Sequence, residues 1–175
     1  MAETASPLLT AWSNFFFMTG SSAAALTGLM FVVVTLVTRT ERAEDTYAGV
    51  ATFSTPTVMH FAAAFLVSAV LIAPWHSLVH AGAAAALIGL AGIVYVLRVM
   101  HRTRRLTIYT ADVEDWMWYT IRPLAAYGTI SASATDLAAA PVRALFILAA
   151  GVLLLIFVGI RNAWDVVTYL AITRR

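Results

Sequence analysis

"ALFILAAGVLLLIFVGI", Ala144 to Ile160, is a run of seventeen residues without one charge, and it passes directly into "RNAWDVVTY", Arg161 to Tyr169. A helix that crosses a bilayer core needs roughly 20 mostly apolar residues, within a range of about 17 to 25. The apolar run meets that length. The residues after it put Arg161, Asn162, Trp164 and Asp165 where the run stops. The pair of segments reads as a membrane span and its polar edge.

Composition extends this reading to the whole chain. Of 175 residues, 61% are apolar and 11% are charged, against about 45–50% and 25% in soluble domains. The mean hydropathy is strongly positive. Every basic residue is arginine, and the net charge of +2 is small and confined to segment ends, which argues against a nucleic-acid partner. The absence of cysteine excludes disulfides, thiolate metal sites and cysteine nucleophiles. The N-terminal "MAETASPLLTAW" carries no arginine or lysine. It lacks the positive region of a secretory signal peptide, so the first apolar segment is expected to be a permanent span.

Five spans are predicted in a single all-α transmembrane domain, a helix bundle over residues 1–175. They cover about 12–37, 56–74, 76–99, 114–135 and 141–160, followed by a short interfacial or cytoplasmic helix at 161–172. With five spans, Arg39, Arg42, Arg98, Arg102, Arg104, Arg105, Arg161, Arg174 and Arg175 fall on one side, and Arg143 alone on the other. Arg122 lies within a span. An excess of basic residues marks the cytoplasmic face, so the N-terminus is expected outside and the C-terminus inside. Four spans would divide the arginine clusters between the two faces. Thr55 before Pro56 has the form of an N-cap with proline in the first turn. Trp12, Trp75, Trp116, Trp118 and Trp164 fall near span ends, where interfacial anchoring is expected of an amphipathic ring.

Helices in a bilayer associate through close backbone approach and hydrogen bonds. The first span offers Gly20, Ala24 and Gly28 at four-residue spacing, and the third offers Gly82, Ala85, Ala86, Gly89 and Gly92. Such stripes pack either the chain's own bundle or a homo-oligomer.

Three segments rich in polar and aromatic residues fall at predicted cytoplasmic span ends. "TFSTPTVMHF" (Thr52–Phe61) sets His60 about one turn inside the second span, "VEDWMWYTIRPLAAY" (Val113–Tyr127) opens the fourth, and "GIRNAWDVVTY" (Gly159–Tyr169) closes the fifth. Asp115, Trp118 or Tyr119, and Arg122 share a helical face. Arg122 would lie about 10 Å deeper than Asp115 at 1.5 Å per residue, where an arginine must snorkel, meet water or find a carboxylate. Asp165 or Asp115 is the expected counter-charge. Pro123 would release the carbonyl of Tyr119. Arg161 and Asp165 are four apart, within ion-pair reach, with Thr168 on the same face and Asn162 and Tyr169 on the adjoining row. The residues form either a charged collar at the bilayer edge or one buried network of His60, Asp115, Arg122, Arg161, Asn162 and Asp165 that lines a polar path.

These segments resemble a family of short bacterial multi-pass membrane proteins with an "STPT" and histidine element, a "DW" aromatic and proline element and an "NAWD" element. The resemblance runs from "TGSSAAALTGLMFV" to the last motif. It implies a bacterial inner-membrane location and brings no catalytic residue with it.

The histidines raise haem as a cofactor, since bis-histidine ligation needs two imidazoles at matched depth on different helices. His101, however, sits in the basic run "HRTRR", and His76 and His80 lie at the opposite face without a nearby carboxylate to complete a metal site. Asp112, Glu114 and Asp115 are better explained as acids at a helix N-terminus. No phosphate loop, serine elbow, zinc-protease motif or dinucleotide fingerprint occurs. The sequence therefore points to a non-enzymatic homo-oligomeric channel or small-solute transporter embedded in lipid, with no cofactor required. A non-catalytic subunit of a larger membrane complex and a haem-binding redox protein are the alternatives.

Overall fold

The computed structural model describes residues 7–40, 44–103 and 116–173. Five α-helices follow one another: α1 (Pro7–Thr40), α2 (Glu44–Ile72), α3 (Leu78–Thr103), α4 (Arg122–Thr135) and α5 (Pro141–Thr173). A π-turn, Met117–Ile121, leads directly into α4. No strand occurs among the described residues.

Four helices hold a stretch long and apolar enough to cross a bilayer: Pro7–Thr35, Thr55–Ile72, Leu78–His101 and Pro141–Thr168. Their outer faces expose Phe17, Leu29, Phe31, Leu87, Phe146 and Phe157, side chains that water would penalise and lipid accommodates. The chain is a multi-pass integral membrane protein.

α4 differs from the other four. It is 14 residues long, and seven of those are buried, which marks an inner helix. It packs against α3 on one side and α5 on the other. Because α2 packs against both α3 and α5, helices α2, α3, α4 and α5 close into a ring. α1 lies outside the ring against α2 and α5.

Small residues set how closely these helices approach. A Cβ on Gly82 would run into the Ala134 carbonyl, one on Gly89 into the Ser131 hydroxyl, and one on Gly92 into the ring of Tyr127. The glycine stripe of α3 is thus the seat of α4. On α5, Gly151 abuts Ile130 of α4, and Gly159 makes room for the ring of Phe61 on α2. Gly20 of α1 meets Ser68 of α2, whose hydroxyl lies 3.1 Å from that of Thr19. Farther along α1 the stripe leaves the interface. Ala24 and Gly28 are exposed, and no atom of the described residues lies within 4 Å of the position of a Cβ on Gly28.

The start of α2 departs from the sequence expectation. The helix begins at Glu44 rather than at Thr55, and Pro56 lies inside it. Proline removes one backbone donor, which normally ends a helix. In an apolar bundle, threonine and serine side chains can re-satisfy the freed groups, and Thr55 and Thr57 flank Pro56. α5 runs unbroken through Arg161 to Thr173, so residues 161–172 are the last turns of the same helix.

Candidate functional site

The candidate site lies at the end of the ring where α2 and the π-turn begin and where α5 carries Arg161 to Asp165. It starts from Pro123. Proline cannot donate to the carbonyl four residues earlier, and its ring crowds that carbonyl. The chain absorbs the misfit one residue upstream, where the Arg122 N–H bonds to the Met117 carbonyl, five residues back. One extra residue in a turn re-aims the side chains around it, and such turns are frequent at functional sites. Here it presents Trp118 and Arg122 toward α5 and buries Thr120.

The indole of Trp118 is the platform of the outer half of the site. The Arg122 guanidinium carbon lies 3.4 Å from its centroid and that of Arg161 lies 5.3 Å from it. Phe157 of α5 packs at 5.8 Å from the same ring. Arginine over tryptophan is the favoured cation–π pair and contributes roughly 0.5–2 kcal/mol, more as water is excluded. Arg161 is also bonded to Asp165, one turn on along α5, with about a third of each side chain exposed (32% and 35%). The carboxylate expected to serve Arg122 is therefore engaged by Arg161. Arg122 instead rests on Trp118, and its Nη1 is buried with no hydrogen-bond acceptor among the described residues. Asp115, the other expected counter-charge, lies outside the described residues, as do Asp112 and Glu114.

The inner half of the site is a polar layer in the core. His60 of α2 is fully buried, and its Nδ1 lies 3.0 Å from the hydroxyl of Tyr127 on α4. That hydroxyl is also 3.5 Å from the Met59 carbonyl. Since α2 and α4 are opposite members of the ring, this contact spans its interior. The other imidazole nitrogen, Nε2, is buried without a hydrogen-bond partner among the described residues. Asn162 is also fully buried, and among the described residues neither its amide nitrogen nor its amide oxygen has a hydrogen-bond partner. Asn162 follows Gly151 by eleven residues, a rotation that returns it to within about 20° of the same direction on the helix. Gly151 faces α4, so Asn162 points into the ring as well. Thr57 and Thr120 are the other buried polar residues at this end.

Asn162, Arg161, Asp165, Arg122 and His60, which the sequence nominated, all gather at this end of the bundle. Trp164 faces outward at 66% exposure, and Trp116 is half-buried. The four histidines occupy separate places. His60 is in the core, His101 is exposed near the end of α3, and His76 and His80 flank the start of α3. The described residues hold no group of three His, Asp or Glu side chains placed for a metal ion.

Tyr127 was not singled out by sequence reasoning, although it closes the quoted "TIRPLAAY" segment. A usable signal was present in "GLAGIVY" (Gly89–Tyr95). Two glycines three residues apart in a span leave room for a bulky partner, and Tyr127 fills it. The double use of Trp118 by two arginines carried no signal in spacing, because Arg161 belongs to another helix. No family model, curated protein or solved structure matches this chain.

Proposed function

We propose that the chain crosses the bilayer five times, with its arginine-rich end in the cytoplasm, and moves a small polar solute through the interior of the α2–α5 ring. One observation carries this reading. The amide of Asn162 and the Nε2 of His60 are buried within an apolar ring and have no hydrogen-bond partner among the described residues. A buried polar group without a hydrogen bond costs about 1–3 kcal/mol, and such groups persist where a water or a solute satisfies them. Thr120 and the Tyr127 hydroxyl extend the same layer, so the layer is made of uncharged polar groups suited to a small polar solute. The orientation rests on the nine-to-one division of arginines. The fifth crossing is the π-turn together with α4, seated between α3 and α5.

The test is flux in vesicles reconstituted with the purified chain, using water, a proton gradient and small uncharged polyols as cargo. Flux of one cargo above that of empty vesicles, lost on Asn162→Leu, supports the reading. Rates equal to those of empty vesicles for every cargo would exclude it.

A second reading, assembly with other membrane chains, is favoured by α1. Its Ala24 and Gly28 are turned outward, with open space beside Gly28, and small residues admit a second helix closely. Purification in mild detergent separates the possibilities. A symmetric self-assembly supports the homo-oligomer, whereas stoichiometric foreign chains support an accessory subunit.

A further inference from the structure

We propose that the π-turn and α5 together bind a phosphate-bearing anion, gripped by Arg122 from the face of Trp118 with Arg161 beside it. The site lies next to the polar layer and does not depend on conduction through it.

Two guanidinium groups approach one indole, at 3.4 and 5.3 Å from its centroid. They are therefore no farther apart than those two distances together. Like charges that close disfavour one another unless an anion intervenes. The described residues supply one carboxylate here, Asp165, and it is bonded to Arg161. Among the described residues no carboxylate meets Arg122.

Geometry then selects the ligand. Stacking on Trp118 occupies the face of the Arg122 guanidinium and leaves its N–H edge in the plane of the group. The Nη1 on that edge is buried and meets no acceptor among the described residues. A guanidinium edge presents parallel N–H donors that match two oxygens of a phosphate, which is why arginine is used where such anions are held. Arg161, bonded to Asp165 and about a third exposed, flanks the same ring and adds to the positive potential that an approaching anion meets.

Position makes the source testable. Trp164, 66% exposed, stands on α5 one turn beyond Arg161 and marks the level where tryptophan meets lipid headgroups. A phosphate here comes either from a phospholipid headgroup or from free phosphate in solution. Both present the same oxygens.

The experiment uses the full chain, stripped of lipid in a maltoside detergent that contains no phosphorus. Three probes are compared: a short-chain phosphatidylglycerol below its micelle concentration, inorganic phosphate, and a diacylglycerol of the same chain length. Native mass spectrometry and the shift in thermal unfolding report binding. The expected result is saturable binding of the phosphatidylglycerol, little of the diacylglycerol, and a loss of at least about tenfold in affinity on Arg122→Gln, as expected when a charged hydrogen bond is removed. Binding of phosphatidylglycerol alone assigns the headgroup as the source, and binding of inorganic phosphate as well assigns the free anion. Arg122→Lys, which keeps the charge and loses the planar fork, should fall between wild type and Arg122→Gln. It serves as the comparison if Arg122→Gln does not fold. No saturable binding of either phosphate probe, equal binding of the diacylglycerol, or unchanged affinity in the Arg122 variants would overturn the proposal.

Discussion

The Nδ1 of His60 and the hydroxyl of Tyr127 lie 3.0 Å apart, joining helices that face each other across the ring rather than neighbours in it. Both side chains are buried. A polar contact in this position ties the two halves of the ring together where leucine packing alone would leave the register free. Interhelical hydrogen bonds of this kind contribute roughly 0.6–2 kcal/mol in a bilayer.

Tyr127→Phe should expose the value of that contact. The ring still fills the space left by Gly92, but the Nδ1 of His60 loses its partner and the imidazole is left without any. The expected cost is about 1–3 kcal/mol, read as a lower thermal midpoint in detergent. Tyr127→Phe combined with His60→Leu should cost less than the two single changes added together. Strict additivity would show that the two groups do not interact.

Glycine positions that look equivalent in the sequence should behave differently. A methyl group on Gly92 meets the ring of Tyr127, whereas one on Gly28 meets nothing. Gly92→Ala is expected to destabilise by about 1–3 kcal/mol through overpacking. Gly28→Ala should leave the stability of the isolated chain unchanged or slightly raised, since alanine favours helix. If Gly28→Ala lowers oligomer size while stability holds, α1 is the contact between chains. Equal thermal midpoints for the two variants would contradict the packing of α3 on α4.

Much of this architecture was legible in the sequence, for identifiable reasons. Apolar length found the crossing helices because the bilayer imposes a minimum that no composition can disguise. The run of small residues at Gly82, Ala85, Ala86, Gly89 and Gly92 found the α3 stripe, although small-residue spacing could not tell a stripe that seats α4 from one, at Ala24 and Gly28, that faces out. The same is true of charge. Spacing correctly paired Arg161 with Asp165, because i and i+4 are neighbours on any helix. It could not assign Arg122, whose partner is decided by the Trp118 ring beneath it. The start of α2 was misread because Thr55-Pro56 has the form of a helix beginning, and the chain upstream continues as helix through the proline. Proline reports a local constraint, and in an apolar bundle the tertiary surroundings can meet it.

Asp165→Asn therefore has a specific expectation. The pair with Arg161 is partly exposed and lies within one helix, so its loss should cost about 0.3–1 kcal/mol, in the range of partly solvated pairs. A double-mutant cycle should give coupling between Asp165 and Arg161 and little between Asp165 and Arg122. Strong coupling of Asp165 to Arg122, measured by thermal unfolding of the four corresponding variants, would reverse this assignment and restore Asp165 as the counter-charge of Arg122.

Asn162 provides the sharpest separation of stability from function. Its amide is wholly buried, and neither its nitrogen nor its oxygen has a partner among the described residues. In a purely structural role such a residue is a defect, because asparagine at this point carries an unmet desolvation cost that leucine, of similar size, would not. Asn162→Leu should then raise the thermal midpoint, with a gain of about 1–2 kcal/mol, while helix content stays the same. If the amide is there to meet a passing solute, the same substitution should abolish flux in reconstituted vesicles. Asn162→Gln, which keeps the amide on a longer arm, should retain part of the flux without the gain in stability. A stabilised Asn162→Leu protein that still conducts at the wild-type rate would mean the path runs elsewhere. A destabilised one would mean that the amide is satisfied in the folded protein after all, by a bound water that belongs to the structure and not to the cargo.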